Sequence, residues 1–237
     1  MPDHRAHRGP HPEDARLFGR EIWPRLRAAI DDLSRLLSGG YAPVSAGTLV
    51  GDRYQLFARQ RAAVARSACA DSALRRRRDH QAAVEAVRGH PLWLDGYNVL
   101  TTVEAAMAGG VILPARDGCY RDMASMHGSY RAVSETVPAL ELIGQTAECL
   151  EIAECCWYLD RPVSNSGRLK RIMDDLAVRR GWRWQVELVA SPDRVLAAAD
   201  QRIATADSAI LDRCRSWYNL AREVIVHHVP GAFVVEW

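Results

Sequence analysis

Leucine and isoleucine recur every three or four residues from Leu17 to Leu37. This spacing is typical of an amphipathic helix, which the pair Gly39-Gly40 would end. Pro24 lies inside the pattern, where a proline kinks or restarts a helix. A second helix is predicted to follow the turn after the glycines and to run into an arginine-rich stretch. The first third of the chain is therefore expected to be helical.

The pattern changes at His90, where short apolar runs begin to alternate with helical stretches. The first run starts at Pro91, ends on Asp95, and opens into a helix that reaches Met107. Further strand-like segments are 111–113, 152–159, 184–189, 202–206 and 232–237, and the helical ones between them are 137–149, 166–180, 192–199 and 208–226. Such alternation predicts a mainly parallel sheet with helices on both faces. We expect an α/β domain over 89–237, preceded by a small all-helical domain over 1–88.

Composition is that of an ordinary globular protein, with 237 residues, 48% of them hydrophobic and 25% charged. No apolar run approaches the roughly 18 residues of a membrane span, and the first twelve residues are charged and histidine-rich rather than signal-like. A cytoplasmic protein with no membrane partner is expected. The six cysteines contain no C-x-x-C pair, so we expect reduced, mostly buried thiols instead of disulfides or a zinc site of the usual spacing.

Charge is distributed unevenly between the two halves of the chain. Residues 1–90 hold 16 Arg against 10 Asp plus Glu, whereas residues 91–237 hold 15 Arg plus Lys against 19 acids. This asymmetry suits a basic docking module joined to an acidic one, although two solvated surfaces of unlike sign would give the same count. The basic half includes a run of four arginines: Arg75, Arg76, Arg77 and Arg78. The run is a candidate for phosphate contact, with a solvated loop as the alternative.

Three aspartates stand at the ends of apolar, strand-like runs: Asp95, Asp160 and Asp207. Because the carboxyl ends of parallel strands meet at one edge of a sheet, all three are expected to converge there. Carboxylates gathered in this way favour a bound cation, and Mg²⁺ or Mn²⁺ accepts them while keeping waters for a substrate phosphate. The corresponding chemistry is metal-assisted hydrolysis. The alternative is that each aspartate caps the helix that follows it.

A polar segment after the 111–113 strand gathers two arginines and two carboxylates within seven residues, from Arg116 and Asp117 to Asp122. It could supply both a metal ligand and a phosphate clamp, or it could be a salt-bridged loop. The chain contains no G-x-x-x-x-G-K-[ST] loop and no G-x-S-x-G elbow, which argues against a nucleoside triphosphatase or a serine hydrolase.

A second polar turn places Ser164, Asn165 and Ser166 at the start of a predicted helix. Free backbone N–H groups and small hydroxyls at such a position suit a phosphate group. Helix capping by Ser164 or Ser166 is the alternative, and the two roles are compatible. The pair His227-His228 is expected in a strand, where adjacent side chains point to opposite faces, so we interpret it as a surface pair rather than a metal site.

Two motifs carry a resemblance to a known superfamily. The segments Leu94-Asp-Gly-Tyr-Asn98 and Ile203-Ala-Thr-Ala-Asp-Ser-Ala-Ile210 resemble the opening and closing signatures of the PIN-like nucleases, particularly their NYN branch. The resemblance extends over about residues 91–220 and implies a PIN-like three-layer fold. With its N-terminal part included, the chain resembles an uncharacterised family of prokaryotic proteins that combine a domain of unknown function with a PIN-like half.

The resemblance also assigns roles to individual residues. Asp95 and Asp207 match metal ligands, Asn98 matches a residue that supports the first of them, and Asp160 matches the middle acid less closely. The superfamily's helical acid has no direct match, and Asp117 or Asp122 would take its place. A homodimer is compatible with this resemblance, because PIN-like domains often pair.

Together these observations predict a divalent-metal-dependent ribonuclease. Asp95, Asp160 and Asp207 would hold Mg²⁺ or Mn²⁺, and Asn98 would orient Asp95. Arg116 and the run of four arginines would grip the RNA backbone. Two alternatives stay open: a non-catalytic module that binds RNA or protein on the same fold, and a phosphatase acting on a small metabolite.

Overall fold

The computed structural model describes residues 8–124 and 129–237. The helices are α1 (Asp14–Leu17), α2 (Trp23–Ser38), α3 (Pro43–Arg53), α4 (Ala58–Ser67), α5 (Asp71–Asp79), α6 (Val84–Val87), α7 (Gly96–Met107), α8 (Thr136–Cys149), α9 (Ser166–Arg180), α10 (Pro192–Ala197), α11 (Ser208–Leu211) and α12 (Leu220–His228), with a 3-10 turn at Arg20–Ile22. The strands are β1 (Pro91–Asp95), β2 (Val111–Pro114), β3 (Tyr120–Asp122), β4 (Glu154–Asp160), β5 (Trp184–Val189), β6 (Arg202–Ala204), β7 (Ser216–Tyr218) and β8 (Phe233–Val234). The expected α/β class, with helices ahead of the sheet, is confirmed.

The main sheet has five strands in the order β5-β4-β1-β6-β7, and every neighbouring pair is parallel. The chain builds the β4 and β5 side first and then returns to the other side of β1 for β6 and β7. The switch point therefore lies between β1 and β6. In open α/β sheets a ligand site lies outside the carboxyl ends of the strands at this point.

Strand β1 and helix α7 form the centre of this sheet because both are almost entirely apolar. Leu92 and Leu94 on the strand are fully buried, and the helix is buried around most of its circumference. Gly96, at the turn between them, allows close contact with β4, since a Cβ at this position would lie 2.6 Å from Leu159 Cδ2 and 2.9 Å from the carbonyl oxygen of Tyr158. The turn aligns the start of α7 with the carboxyl edge of the sheet.

A second, three-stranded sheet in the order β3-β2-β8 joins the N-terminal helices to the main sheet. Alternate residues of β2 point to opposite faces. Val111 and Leu113 pack in one core with Leu26 of α2 and other residues of the N-terminal helices. Ile112 packs with Ala105 of α7 and with residues of α12. The helices that were predicted as a separate domain therefore share their core with this sheet.

The structure corrects the prediction of one helix over 208–226. This segment forms α11, then β7, then α12. Trp217 of β7 is fully buried, its backbone N–H donates to the carbonyl oxygen of His80 at 3.0 Å, and its indole N–H donates to that of Arg77 at 2.7 Å. A three-residue strand held in this way interrupts the helix. It also moves His227 and His228 to the end of α12, where His227 Nε2 lies 3.0 Å from Glu223.

The cysteines agree with the expectation of reduced, mostly buried thiols. All six are free, and five are buried while Cys149 is exposed. Within the described ranges, no helix is both long enough and apolar enough to span a membrane.

Candidate functional site

A pocket of about 600 Å³ opens at the carboxyl ends of β1 and β6, at the switch point of the main sheet. Four of its lining residues are acids and two are arginines. The polar side chains that line it are Arg66, Asp95, Tyr97, Asn98, Thr101, Thr102, Arg121, Asp122, Asp193, Asp207 and Ser208. Strand-end residues that are remote in sequence are thus brought to one place.

Asp95 is the most enclosed acid of this pocket, with 8% of its surface exposed. It ends β1 and precedes α7, and its Oδ2 accepts a hydrogen bond from the Thr205 hydroxyl at 2.8 Å. Burial and, to a lesser extent, the charges of Asp207 and Asp193 together raise the pKa of Asp95 to about 7, against the lowering effect of this hydrogen bond. The carboxyl group therefore takes up either a proton or a cation near neutral pH.

Asn98 holds two parts of the site together. Its Oδ1 accepts a hydrogen bond from the backbone N–H of Ala206 at 2.7 Å, which fixes the segment after β6 against α7. Its backbone N–H acts on Asp95 and lowers the pKa of that carboxyl group. The support for Asp95 thus comes from the main chain of Asn98 and from the Thr205 hydroxyl, while the Asn98 side chain positions the neighbouring turn.

Asp207 both caps a helix and faces the pocket. Its Oδ1 accepts hydrogen bonds from the backbone N–H groups of Ala209 at 2.7 Å and Ile210 at 3.3 Å, at the start of α11. Its Oδ2 makes no hydrogen bond with any residue that the structure describes, and Asp207 lines the pocket with Asp95. The capping role and a ligand role are therefore compatible for this residue.

Asp193 is a further acid of the pocket, and its sequence pattern indicates only the start of a helix. Burial and the charge of Asp207 raise its pKa, so the two carboxylates lie close enough to interact. Asp193 is the second residue of α10 and comes four residues after β5 ends at Val189. It therefore does not end its strand as Asp95 and Asp160 do.

Asp160 lies beside this group rather than among the residues that line the pocket. Burial and the charge of Asp193 raise the pKa of Asp160. Over residues 8–124 and 129–237, no three Asp, Glu, His or Cys side chains are close enough to form a metal-binding group. The set of Asp95, Asp160 and Asp207 is thus not preassembled for a cation, although a chain of interacting charges links its members through Asp193.

Of the two candidates for a fourth ligand, only Asp122 borders the pocket. Its Oδ2 accepts a hydrogen bond from the Thr102 hydroxyl at 2.9 Å. Asp117 is buried between two arginines, at 2.6 Å from Arg77 and 2.7 Å from Arg121. These ion pairs hold its pKa below the usual range in spite of burial. Asp117 is therefore a structural anion that joins α5 to β3, which corrects its expected place at the metal.

The run of four arginines lies on α5 and not in a loop, and its members differ. Arg77 is buried and pairs with Asp212 at 2.7 Å as well as with Asp117, so it is not available to a phosphate group. Arg76 donates to the carbonyl oxygen of Asp212 at 3.1 Å. Arg75 and Arg78 are exposed, and no member of the run lines the pocket. The prediction that all four arginines contact phosphate is therefore wrong for Arg77.

The other side chains that were expected to bind phosphate also have partners within the protein. Arg116 pairs with Asp71 at 2.7 Å and donates to the carbonyl oxygen of Cys69 at 2.9 Å. Asn165 donates to the carbonyl oxygen of Tyr130 at 2.9 Å, while that of Ser164 accepts from the backbone N–H of Tyr130 at 3.1 Å. Ser166 likewise donates to a backbone carbonyl, at 3.3 Å. The Ser164, Asn165 and Ser166 turn thus anchors the neighbouring chain and lies outside the pocket lining.

Tyr97 contributes a polar atom that has no partner. It follows Gly96 on α7, lines the pocket and is 4% exposed, and its buried hydroxyl makes no hydrogen bond with the residues that the structure describes. Burial and the charge of Asp160 raise its pKa to about 12, so it keeps its proton as a donor. Buried polar groups in native proteins are nearly always hydrogen-bonded, so an unpaired one beside a pocket indicates a water or a ligand.

Comparison with known proteins gives two family matches and a relative. The "Protein of unknown function (DUF434)" family matches residues 25–80, and the "Domain of unknown function (DUF5616)" family matches residues 84–223. "Uncharacterized protein MJ0935" of Methanocaldococcus jannaschii is 26% identical over 186 residues, which cover 78% of this chain and 88% of that protein. No solved structure matches. These matches leave the resemblance to PIN-like nucleases as a prediction.

Proposed function

Because the chain belongs to the DUF5616 family, whose description states no activity, we propose its function from its own site. We propose a divalent-metal-dependent ribonuclease, which hydrolyses phosphodiester bonds of RNA on a PIN-like α/β fold. The observation that carries this proposal is the gathering of Asp95, Asp193 and Asp207 around one pocket at the switch point of a parallel sheet. Burial and the charge of a neighbouring acid raise the pKa of Asp95 and of Asp193, and perturbed carboxyl groups of this kind are frequent at catalytic sites.

The residues of the pocket fit a Mg²⁺ or Mn²⁺ ion that is held by few protein ligands. Magnesium is usually held by one or two carboxylates and keeps several waters, so a preassembled set of three acids is not required. Asp95 and Asp207 would hold the cation, with Asp160 and Asp122 beside it. When bound, the cation supplies positive charge that stabilises the negative charge developing on the phosphoryl group.

The remaining groups of the site orient substrate and transfer protons. The Thr205 hydroxyl and the main chain of Asn98 hold Asp95, and the Asn98 side chain holds the turn that carries Asp207. The Tyr97 hydroxyl donates a hydrogen bond to an oxygen of the substrate. We assign Asp193 to accept the proton of the attacking water, because its raised pKa makes it a stronger base than an ordinary aspartate.

A cleavage assay with a single-stranded RNA oligonucleotide and Mn²⁺ tests this proposal. We expect the protein to cleave the RNA and Asp95→Asn to lower the rate at least about 100-fold without lowering the melting temperature. Asp200→Asn is the matched control, because Asp200 is an exposed acid whose partner is Arg215. Cleavage by Asp95→Asn at the normal rate would remove this residue from the mechanism, and no cleavage with any divalent cation would contradict the proposal.

The position of α4 on one side of the pocket favours a second candidate, a phosphatase acting on a small metabolite. Ala65 and Arg66 of this helix form part of the wall, which limits the space for a long polymer. An aryl phosphate separates the two candidates, because a phosphatase hydrolyses it and a nuclease does not. A binding module without catalytic activity would bind RNA, more weakly as salt rises, and would turn over neither substrate.

A further inference from the structure

Arg66 is a cation of the pocket that makes no ion pair with a carboxylate among the residues that the structure describes. It lies on α4, in the N-terminal part of the chain. None of its guanidinium nitrogens forms an ion pair, within 4 Å, with a carboxylate oxygen of the described residues. Its guanidinium donates to two backbone carbonyls instead, those of Asp122 and of Ala124, the latter at 3.4 Å. Carbonyl oxygens hold the group in place without neutralising it.

The second arginine of the pocket provides a contrast. Arg121 pairs with Asp117 at 2.7 Å and donates to the carbonyl oxygens of Ala206 at 2.8 Å and of Arg66 at 3.1 Å. Its charge and its donors are therefore used inside the protein. Arg66 is therefore the better candidate of the two arginines for binding an anionic ligand in this pocket.

We propose that the pocket binds a phosphate group of its ligand and that Arg66 is the residue that recognises it. This inference rests on the proposed function, because it names the group of the substrate that the site holds. A guanidinium offers several donors in a planar fork that matches phosphate oxygens. The acids of the same pocket would repel a phosphate group, so a cation held by them would have to supply compensating charge together with Arg66.

The unpaired Tyr97 hydroxyl is an independent observation in favour of a ligand in this pocket. The hydroxyl is buried and makes no hydrogen bond with the residues that the structure describes, and Tyr97 lines the same pocket as Arg66. A phosphate oxygen can accept its hydrogen bond. A ligand with a phosphate group would therefore pair with the Arg66 guanidinium, which has no carboxylate partner among the described residues, and would accept from the Tyr97 hydroxyl.

Isothermal titration with adenosine 5′-monophosphate and with adenosine, both in the presence of Mg²⁺, tests the proposal. The two probes differ only in the phosphate group, so their difference in affinity measures its recognition. We expect Arg66→Gln to weaken binding of the monophosphate at least about tenfold and to leave adenosine binding unchanged. We expect Arg66→Lys, which keeps the charge but not the fork, to fall between wild type and Arg66→Gln.

Arg179→Gln is the matched control, since it removes the same charge from an exposed position in the last turn of α9. It is expected to bind both probes as the wild type does. Equal binding of the monophosphate by wild type and Arg66→Gln would overturn the proposal. So would an equal loss for both probes, which would make Arg66 a structural residue, or the absence of any preference for the monophosphate in the wild type.

The two proposals can fail separately. Arg66-dependent binding of the monophosphate without RNA cleavage would leave the phosphate site standing and contradict the ribonuclease. Cleavage that depends on Asp95, together with unchanged monophosphate binding by Arg66→Gln, would support the ribonuclease and contradict the phosphate site.

Discussion

Asp95 combines a buried carboxyl group with two neighbouring acids, and this environment makes the stability of the protein depend on pH. Burial raises its pKa to about 7, whereas in the unfolded chain an aspartate titrates near its ordinary value of about 3.9. The folded state therefore keeps a proton that the unfolded state has released. The resulting contribution to stability is greatest below about pH 4 and is lost as the pH rises through 7.

We predict that Asp95→Asn removes this dependence. Without divalent cations, the wild type should lose up to about 4 kcal/mol between pH 4 and pH 8 from this residue, and the variant should not. At pH 8 the variant should melt at the higher temperature. Thermal unfolding in EDTA at a series of pH values measures both curves, and parallel curves would show that Asp95 titrates normally.

The Tyr97 hydroxyl gives a second prediction for a single residue. Tyr97→Phe keeps the ring, which packs on Tyr130 at 5.2 Å between centroids, and removes only an oxygen that has no partner. An unpaired buried polar group costs about 1–3 kcal/mol, so the melting temperature should stay the same or rise. Cleavage of RNA should nevertheless fall about tenfold or more.

A variant that melts and cleaves as the wild type does would show that the hydroxyl has no role in the pocket. Tyr218→Phe is the matched control, because the Tyr218 hydroxyl is also buried and unpaired but lies outside the pocket lining. Its substitution should leave cleavage unchanged.

How far single residues could be predicted from the sequence depended on where they stand along the chain. The strand-end rule placed Asp95 and Asp207 in one pocket, because the geometry of parallel strands forces strand ends together. The rule did not find Asp193, because this residue lies on α10, four residues after the end of β5. Arg66 could not be found in this way, since only tertiary packing brings α4 to the sheet edge.

Helix α5 shows how an element can carry residues of different roles in one run. Three of its four consecutive arginines are exposed, while Arg77 is turned inward onto Asp117 and Asp212. The run was predicted to contact phosphate as one block of positive charge, yet helical geometry places its members on different faces of the helix. The buried member is used to dock the helix, and this use could not be inferred from the run itself.

We predict that Arg77→Ala lowers the free energy of unfolding by about 3–5 kcal/mol, because it leaves Asp117 buried with part of its compensating charge removed. Arg78→Ala, the neighbouring exposed arginine, should change it by less than about 0.5 kcal/mol. Urea unfolding of both variants measures the difference. Similar midpoints for Arg77→Ala and wild type would mean that the ion pairs contribute little to the docking of α5.

The longer elements were predicted from hydrophobic spacing, and the shortest were not. Helix α9 and strand β5 have the bounds that their patterns indicated, since each presents several consecutive turns or alternations. Strand β7 has three residues, too few to show an alternation, and its apolar residues fit the helical pattern around it. The second sheet was missed for a related reason: its pairing joins 111–114 with 120–122 and with 233–234, which no local pattern encodes.

The whole molecule is organised so that its two family segments meet at one site. Residues 25–80 and 84–223 match different families, yet the pocket takes Arg66 from the first and its acids from the second. Arg121 connects them directly, because it donates to the carbonyl oxygens of both Arg66 and Ala206. The N-terminal helices are thus a wall of the pocket rather than an appendage.

This arrangement predicts that the protein unfolds in a single transition. The N-terminal helices pack on one face of β2 and the main-sheet domain packs on the other, so neither part can lose its structure without exposing the core of the other. Leu26→Ala in α2 and Leu94→Ala in β1 each remove a fully buried side chain and should each lower the stability by about 2–5 kcal/mol. Val178→Ala, at an 83% exposed position, should have little effect.

Scanning calorimetry distinguishes the possibilities, because a single cooperative unit has equal calorimetric and van't Hoff enthalpies. Both core variants should shift the same peak to lower temperature. Two peaks, with Leu26→Ala moving only one of them, would show that the helices form an independent domain over 1–88. In that case the N-terminal helices, which carry Arg66, could separate from the main sheet while the part that carries the acids stayed folded. Phosphate recognition would then have to depend on the docked state of the helices, instead of being a fixed property of the pocket.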